Sequence, residues 1–284
     1  MWPCHNPNMA QDPARRRRLA GGLITTVLGI AGLISSFIAT LATLQGVRDG
    51  ASVPLLLDAP IAAIGLGLFT AVLVVGMATL ARPQPATAPS SGKHAPSLAV
   101  GILTFVLGVI GWWAAFALTA DKVVTLREPG AELGCNVSLL VQCGANLESW
   151  QGSVFGFPNP LIGLVGWSAV LVVAVLVMAR VTLSAWFWVT FNVGAAAALA
   201  FVIWLISQSI FVLGTLCPWC MVTWAVTIPL FWMITLGNAR RGHFGEGAQR
   251  TLGAAYAWTP LITMVSYLVV AIIAQLRLDV LLYL

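Results

Sequence analysis

Charged residues are scarce in this chain. Of its 284 residues only 14 are Lys or Arg and 9 are Asp or Glu, 8% in all against about a quarter in soluble domains, while 59% are apolar. This composition excludes an ordinary soluble enzyme, a disordered chain and a nucleic-acid-binding protein as descriptions of the whole. A chain of 284 residues with five cysteines is also not a miniprotein held together by disulfides, and the placement of the cysteines matters more than their number. A membrane helix needs about 20 mainly apolar residues, and the chain has enough of them for seven crossings.

Long runs without Asp, Glu, Lys or Arg predict where the chain crosses the membrane. The run from Val181 to Ala239 is too long for one helix and contains Gly214 and the motif Cys217-Pro218-Trp219-Cys220, so we divide it into two. The predicted spans are 19–44, 60–81, 97–118, 160–179, 184–206, 217–236 and 258–276. They predict an all-α polytopic membrane protein with about seven transmembrane helices.

These spans divide the chain into four parts. A basic cytoplasmic tail covers 1–18, an additional N-terminal helix pair covers 19–81, and a cytoplasmic linker covers 82–96. The last part, 97–284, contains five spans and an outer loop at 119–160. A loop of about forty residues between spans is usually either functional or disordered.

The basic residues predict the orientation of the spans. Arg15 to Arg18 precede the first span, whose apolar run is longer than the roughly 7–15 residues of a signal-peptide core, so we expect a retained helix with a cytoplasmic N-terminus. Ten of the fourteen basic residues then lie inside, as the positive-inside rule predicts: Arg15, Arg16, Arg17, Arg18, Arg82, Lys93, Arg180, Arg240, Arg241 and Arg250. His5, His94 and His243 lie on the same side, which leaves no histidine to assist chemistry on the outer side.

The same orientation sorts the cysteines. Cys135 and Cys143 fall in the outer loop, and Cys217 and Cys220 fall at the outer end of the sixth span, whereas Cys4 is alone in the tail. Four cysteines are therefore expected to face an oxidising compartment.

The most specific motif is Cys217-Pro218-Trp219-Cys220. Two cysteines three residues apart at a helix start lie on one face, and the free N–H groups there stabilise a thiolate. Proline suits the first turn, which does not need its missing N–H. The motif favours redox chemistry, although a static disulfide or two inert thiols would have the same spacing.

The second pair strengthens the redox interpretation. If Cys135 and Cys143 share one surface with the C-x-x-C pair, thiolate attack can pass a disulfide between the pairs through a mixed intermediate. A disulfide that only fixes the loop is the structural alternative. Four cysteines could also hold zinc, although zinc sites usually combine two short-spaced pairs.

An electron relay needs a terminal acceptor. The sequence has no dinucleotide-binding glycine fingerprint, no haem-attachment motif and no soluble domain. We therefore expect a lipid-soluble acceptor, and a quinone is the natural choice. Trp224 lies one turn after Cys220 on the same helix face, where it could contact a quinone ring or simply pack in the core.

The order of these residues resembles the vitamin K epoxide reductase family, in its bacterial disulfide-forming branch. The resemblance covers roughly 97–276: a span, an outer loop with Cys135-x7-Cys143, the run Ser-Val-Phe-Gly-Phe-Pro-Asn-Pro at 153–160, and a C-x-x-C that opens a later span. The other membrane thiol oxidase family that uses a quinone has its C-x-x-C in the first loop, so the cysteine order argues against it. The first two spans, 19–81, have no counterpart in the usual pattern of the branch.

The resemblance implies a four-helix bundle core around a quinone of the menaquinone or ubiquinone type, with the outer loop as a cap. It implies that Cys220 faces the quinone, that Cys217 exchanges with Cys143, and that Cys135 meets the protein substrate.

The resemblance also implies three quinone contacts. Ser149 matches a polar position near the site, and Phe155 lies where the loop returns to the membrane. Trp224 stands where animal members have a tyrosine, so the resemblance implies an aromatic contact with the quinone there but not the same one.

The prediction is a quinone-dependent thiol oxidoreductase of the cell membrane, with its active site on the outer face. By the resemblance, it takes electrons from a separate thioredoxin-like (DsbA-type) exported protein and so drives disulfide formation in exported proteins. A membrane scaffold or small-solute transporter with purely structural disulfides is the alternative.

Overall fold

The computed structural model describes residues 13–48, 67, 70, 71, 74, 75 and 96–282, and most of these are helical. The α-helices are α1 (Pro13–Arg48), α2 (Leu98–Arg127), α3 (Gly144–Glu148), α4 (Pro160–Met178), α5 (Ala185–Gln208), α6 (Pro218–Arg240), α7 (Glu246–Thr251) and α8 (Thr259–Leu278). A π-helical turn, Ser209–Leu213, continues α5. Three 3-10 turns complete the described part: Trp150–Ser153, Ala254–Trp258 and Val280–Leu282.

Six of the described helices are long and apolar enough to cross a membrane: Leu19–Thr40, Leu98–Arg127, Pro160–Met178, Ala185–Leu213, Pro218–Arg240 and Ala254–Leu278. The predicted all-α polytopic membrane protein is confirmed. Five residues of the predicted span 60–81 are described, and they are helical. The rest of that span, residues 1–12 of the tail and the linker up to residue 95 lie outside the described residues.

The core of the fold is a bundle of α2, α4, α5 and α6. Helix α2 packs along α4 and against α6, and α6 also packs against α5. Glycines allow α2 to approach α4 closely, because a Cβ at Gly108 would lie 2.9 Å from Leu171 and one at Gly111 would overlap the ring of Trp167. Close approach of small residues is a common basis of helix association in membranes.

Buried polar groups connect the bundle helices. Trp112 Nε1 donates to Ser168 Oγ at 3.1 Å and joins α2 to α4. Asn238 has no exposed surface, and its Nδ2 donates to the Trp188 carbonyl at 3.0 Å and to Asn192 Oδ1 at 3.3 Å, joining α6 to α5. Because no water reaches such sites in a bilayer, these polar groups must be satisfied within the protein.

Helix α8 lies outside the bundle, against α6. Trp232 Nε1 donates to Ser266 Oγ at 3.2 Å, and the Tyr267 hydroxyl donates to the Ala225 carbonyl. Most of the large apolar side chains of α8 are exposed, as expected for a helix that faces lipid.

Helix α2 is longer than the sequence predicts, and the loop that follows it is shorter. The loop was predicted to begin at residue 119, whereas the helix continues to Arg127, about two turns further. Lys122 interrupts the apolar pattern but not the helix, because its Nζ donates to the Leu147 carbonyl at 2.6 Å. The connection between α2 and α4 therefore covers 128–159.

Helix α5 is also extended beyond its predicted end at residue 206. The π-helical turn carries it to Leu213, and Gly214 then ends it with φ of +65°. Glycine adopts this left-handed conformation without the strain that a Cβ would add, so the chain can turn towards Cys217.

Part of the second apolar run packs against the bundle. Val74 is only 4% exposed and lies in a cluster with residues of α4 and α5, namely Val173, Val177, Phe187 and Trp188. Thr70 is also buried. The described residues of this run therefore contact the part of the chain that carries the outer loop.

Candidate functional site

The four cysteines identified from the sequence meet at one end of the bundle, here named the cysteine end. Cys135 and Cys143 form a disulfide with their Cα atoms 5.8 Å apart, whereas Cys217 and Cys220 are free thiols. The Sγ of Cys217 lies 3.3 Å from the Sγ of Cys143, although 74 residues separate them in the chain. Sulfur atoms of the two pairs are in contact, which is the arrangement that disulfide exchange requires.

Apolar side chains surround the sulfur atoms: Leu118, Leu133 and Leu147, with Val124 and Trp219 partly buried against them. Cys143 and Cys217 have no exposed surface, and Cys135 retains 8%. Of the three cysteines whose sulfur atoms are in contact, Cys135 is therefore the most accessible to a thiol from outside.

Backbone hydrogen bonds connect the loop to the segment that precedes the C-x-x-C pair. The Leu216 N–H donates to the Leu140 carbonyl at 2.8 Å, and the Gln142 N–H donates to the Leu216 carbonyl at 3.0 Å, which forms a short parallel bridge. Asn136 Oδ1 accepts from the Cys143 N–H at 2.9 Å. These bonds fix the two cysteine-bearing segments side by side.

Cys217 lies at the N-cap of α6, and Pro218 occupies the first turn. A hydrogen bond from the Cys220 thiol lowers the pKa of Cys217, burial opposes this effect, and the backbone N–H groups of Cys220 and Trp219 add to it. Cys217 is consequently the cysteine of this pair that favours the thiolate, the nucleophilic form.

A cavity of about 630 Å³ extends from the cysteine end into the bundle, between α2, α4, α5 and α6. Cys220 and Trp224 line it from α6, and Phe155 lines it from the connection before α4. Towards the other end it reaches Val74 and Phe187. Its walls are mainly apolar, and its volume lies within the range of roughly 300–1,000 Å³ that is typical of sites for small ligands.

Amide side chains are the largest polar groups of this cavity. Gln151 is 4% exposed, its Oε1 has no hydrogen-bond partner, and its Nε2 lies 3.4 Å from Gln208 Oε1. Asn146 is held on both sides, since its Nδ2 donates to Thr215 Oγ1 at 3.0 Å and its Oδ1 accepts from Ser209 Oγ at 2.9 Å. The glutamine pair thus retains hydrogen-bonding capacity towards the cavity.

Two of the three residues predicted to contact a quinone line the cavity, and the third does not. Trp224 is 6% exposed and lines the cavity, and Phe155 lines it with its ring centroid 5.9 Å from that of Phe201. Ser149 is not a lining residue, and its hydroxyl donates to the Asn146 carbonyl at 2.8 Å. Ser149 therefore supports the backbone of a residue that lines the cavity.

Sequence analysis did not identify three polar residues of this region. Asp121 Oδ2 lies 3.4 Å from Cys135 Sγ, and Gln151 and Gln208 line the cavity. Each of them stands within or next to a long apolar run. A polar residue in such a run usually faces the protein interior, and this signal could have identified all three.

One family model matches the region of the chain that holds these residues. The model of the Vitamin K epoxide reductase family matches residues 102–235, which include all four cysteines of the site. No curated protein and no solved structure matches the chain.

Proposed function

We propose that this chain, whose residues 102–235 match the model of the vitamin K epoxide reductase family, is a membrane thiol oxidoreductase of that family and a quinone-dependent enzyme of disulfide formation. In this proposal electrons pass from a separate thioredoxin-like exported protein to Cys135 and Cys143, then to Cys217 and Cys220, and finally to a membrane quinone. The observation that carries it is the 3.3 Å separation between the sulfur atoms of Cys217 and Cys143.

Disulfide exchange between the pairs accounts for the electrons. The Cys143 thiolate attacks Cys217 of a Cys217–Cys220 disulfide, so that a Cys143–Cys217 bond forms and Cys220 receives the electron pair. The Cys135 thiolate then attacks Cys143, which re-forms the loop disulfide and releases the Cys217 thiolate. The product of this step is an oxidised loop pair beside a reduced C-x-x-C pair, the arrangement seen in the structure.

The cavity beside Cys220 fits a quinone of the menaquinone or ubiquinone type. When bound, a quinone supplies an acceptor for two electrons and two protons. Trp224 and Phe155 provide flat apolar surface for a ring. The second N–H of the Gln151 amide and the N–H groups of Gln208 beside it can donate to a quinone carbonyl oxygen, and the unpartnered Gln151 Oε1 can accept from the hydroxyl of the reduced ring.

The orientation in the membrane is part of the proposal. The excess of basic residues on one side of the predicted spans supports a cytoplasmic N-terminus. The cysteine end then faces the outer side of the cell membrane, where exported proteins acquire disulfides.

The proposal is tested with purified protein, a short-chain quinone and two reductants, a small dithiol and a dithiol thioredoxin-like protein. Cys217→Ala and Cys220→Ala should abolish quinone reduction with either reductant. Cys135→Ala should block the protein dithiol but leave much of the rate with the small dithiol, which can reach the C-x-x-C pair directly. Cys4→Ala serves as the control. Near-wild-type rates in all variants would refute the proposal.

A second measurement separates a relay from a protein whose disulfides are only structural. In the Cys135→Ala/Cys220→Ala variant the exchange intermediate cannot be resolved, and a Cys143–Cys217 disulfide should accumulate. Proteolysis without reduction, followed by mass spectrometry, identifies the linked peptides. Two free thiols after incubation with oxidant would favour a scaffold or transporter.

A further inference from the structure

A carboxylate stands beside one sulfur of the loop disulfide. Asp121 projects from the last turns of α2, and its Oδ2 lies 3.4 Å from Cys135 Sγ. The carboxylate oxygen and the two disulfide sulfurs lie within 4.8 Å of one another, so the charge also acts on Cys143 but has its close contact with Cys135.

The neighbouring charges do not cancel this contact. Lys122 follows Asp121 in α2, but its ammonium group donates to the Leu147 carbonyl at 2.6 Å and interacts with Glu148. Among the residues that the structure describes, the other titratable groups that face the loop pair are the thiols of Cys217 and Cys220 from α6. Asp121 is therefore the anion that distinguishes the two ends of the loop disulfide.

We propose that Asp121 sets the polarity of the loop disulfide, making Cys135 the sulfur that is attacked and Cys143 the sulfur that leaves. A disulfide opens faster when the departing sulfur is the better-stabilised thiolate. A negative charge in contact with a sulfur disfavours its thiolate, and a carboxylate oxygen at this distance can accept a hydrogen bond from the protonated thiol. Departure from Cys143 is thus favoured over departure from Cys135.

The step is balanced without proton transfer. An incoming thiolate forms a bond with Cys135 Sγ, the Cys135–Cys143 bond breaks, and its electron pair leaves on Cys143. That thiolate lies next to Cys217, to which the electrons must pass. The opposite polarity would leave the thiolate on Cys135. This inference rests on the proposed direction of electron flow, to which it adds the residue that directs the first step.

The test uses the full chain with Cys217→Ala and Cys220→Ala, so that the loop disulfide is retained and no other cysteine of the site consumes the released thiolate. The protein is treated with glutathione in the presence of N-ethylmaleimide, and mass spectrometry measures which loop cysteine carries glutathione and which carries the maleimide. With Asp121 present, glutathione should be found mainly on Cys135. Asp121→Asn should lower the Cys135 to Cys143 ratio about tenfold, as loss of one close charge predicts.

Matched variants separate charge from shape. Asp121→Glu retains the carboxylate and should preserve most of the preference of glutathione for Cys135. Glu132→Gln removes an exposed carboxylate from the loop that carries the disulfide and should leave the ratio unchanged. If Asp121→Asn does not fold, Asp121→Ser provides the neutral side chain. A neutral variant that keeps the original ratio would overturn the proposal, because steric access to Cys135 alone would then decide the site of attack.

A pH profile gives an independent readout that a purely structural role would not move. With Cys143→Ala added, Cys135 is the single thiol of the site, and its alkylation by iodoacetamide is followed against pH. Asp121→Asn should shift the midpoint to lower pH by about one unit. An unshifted midpoint overturns the proposal. Neither assay contains a quinone or a protein partner, so failure of the proposed function and failure of this inference are distinguishable.

Discussion

The two ends of the bundle differ in what their polar groups contact. At the cysteine end, buried polar and sulfur groups border a cavity. At the opposite end, where α6 terminates, a different set of polar side chains bind one another. Arg241 there donates to Asn238 Oδ1 at 2.8 Å, and its guanidinium lies 4.8 Å from the centre of the Trp188 ring. The space among these groups is about 20 Å³, room for roughly one water molecule. The cavity at the cysteine end is about 630 Å³.

The comparison shows what each end is suited to do. Burial lowers the pKa of Arg241 to about 10, so the side chain remains charged at neutral pH and must be held by its neighbours. Such a paired cluster fastens α5 to α6. Gln151 is more deeply buried, and the Oε1 that it leaves without a partner belongs to a side chain lining the large cavity, which suits it for a ligand rather than for fastening helices.

The largest expected effect comes from exchanging a buried asparagine at the fastened end. Asn238→Leu removes donors to α5 and an acceptor for the partly buried Arg241 guanidinium, and it should lower the free energy of unfolding by about 3 kcal/mol. Exchange between Cys143 and Cys217 should continue in the folded fraction. Denaturant unfolding in detergent and trapping of the mixed disulfide measure the two properties separately.

Asn146→Leu at the cysteine end is the matched counterpart. It removes the hydrogen bonds to Thr215 and Ser209. The free energy of unfolding should fall by no more than about 1 kcal/mol. Exchange between Cys143 and Cys217 should slow about tenfold, because α3 is no longer held in position beside the segment that leads to the C-x-x-C pair. If Asn146→Leu were the more destabilising variant and Asn238→Leu the slower in exchange, the assignment of roles to the two ends would be wrong.

A smaller effect concerns the pH dependence of Cys217. In reduced protein with Cys135→Ala and Cys143→Ala, alkylation of Cys217 should have its midpoint below the value of about 8.5 for an ordinary thiol. Cys220→Ala should raise the midpoint, because the strongest stabilising hydrogen bond is lost while burial remains. Cys220→Ser keeps a donor and should stay close to the parent protein. A midpoint that Cys220→Ala leaves unchanged would contradict this account.

The same pKa direction predicts the sign of the stability effect. Because the pKa of Cys217 is lower in the folded protein than in the unfolded chain, its thiolate adds stability above the ordinary thiol pKa. This contribution is lost as the pH falls through the lowered value. Unfolding of the reduced protein at pH values between the lowered pKa of Cys217 and the ordinary thiol pKa should show stability that increases with pH, and it measures this contribution.

The smallest effect is expected at the cavity. Gln151→Leu should raise KM for a short-chain quinone about fivefold with little change in kcat, since one neutral hydrogen bond contributes about 1 kcal/mol. Gln275→Leu, on α8 and away from the cavity lining, is the control. A fall in kcat without a change in KM would assign Gln151 a role other than binding.

Local patterns in the sequence predict much of the architecture. Uninterrupted apolar runs identify the helices of the bundle, and proline after Cys217 predicts that α6 begins at the cysteine pair. The end of α2 was misplaced because the apolar run ends at Asp121, which is followed by Lys122, a residue that hydropathy treats as exposed to water. Its ammonium group instead binds a carbonyl supplied by the loop, a partner that is distant in sequence.

Irregular backbone explains the remaining differences at the site. Ser149 directly precedes the 3-10 turn Trp150–Ser153. The change of backbone direction at this point determines which side chains face the cavity. Spacing alone cannot show that Gln151 points inward while Ser149 binds the backbone. The bridge at Leu216 joins segments that are far apart in sequence, so the contact between the cysteine pairs could be proposed from chemistry but not read from a local pattern.

Val74 connects the N-terminal region to the bundle in a way that matters for any ligand with a long hydrocarbon tail. It stands outside the family-matched segment, yet it forms part of the cavity wall at the end remote from the cysteines. In the proposed function, its size would limit how far such a tail extends between α4 and α5. The residues beside the ring and the residue that limits the tail would then belong to different parts of the chain, so that the two properties could vary independently.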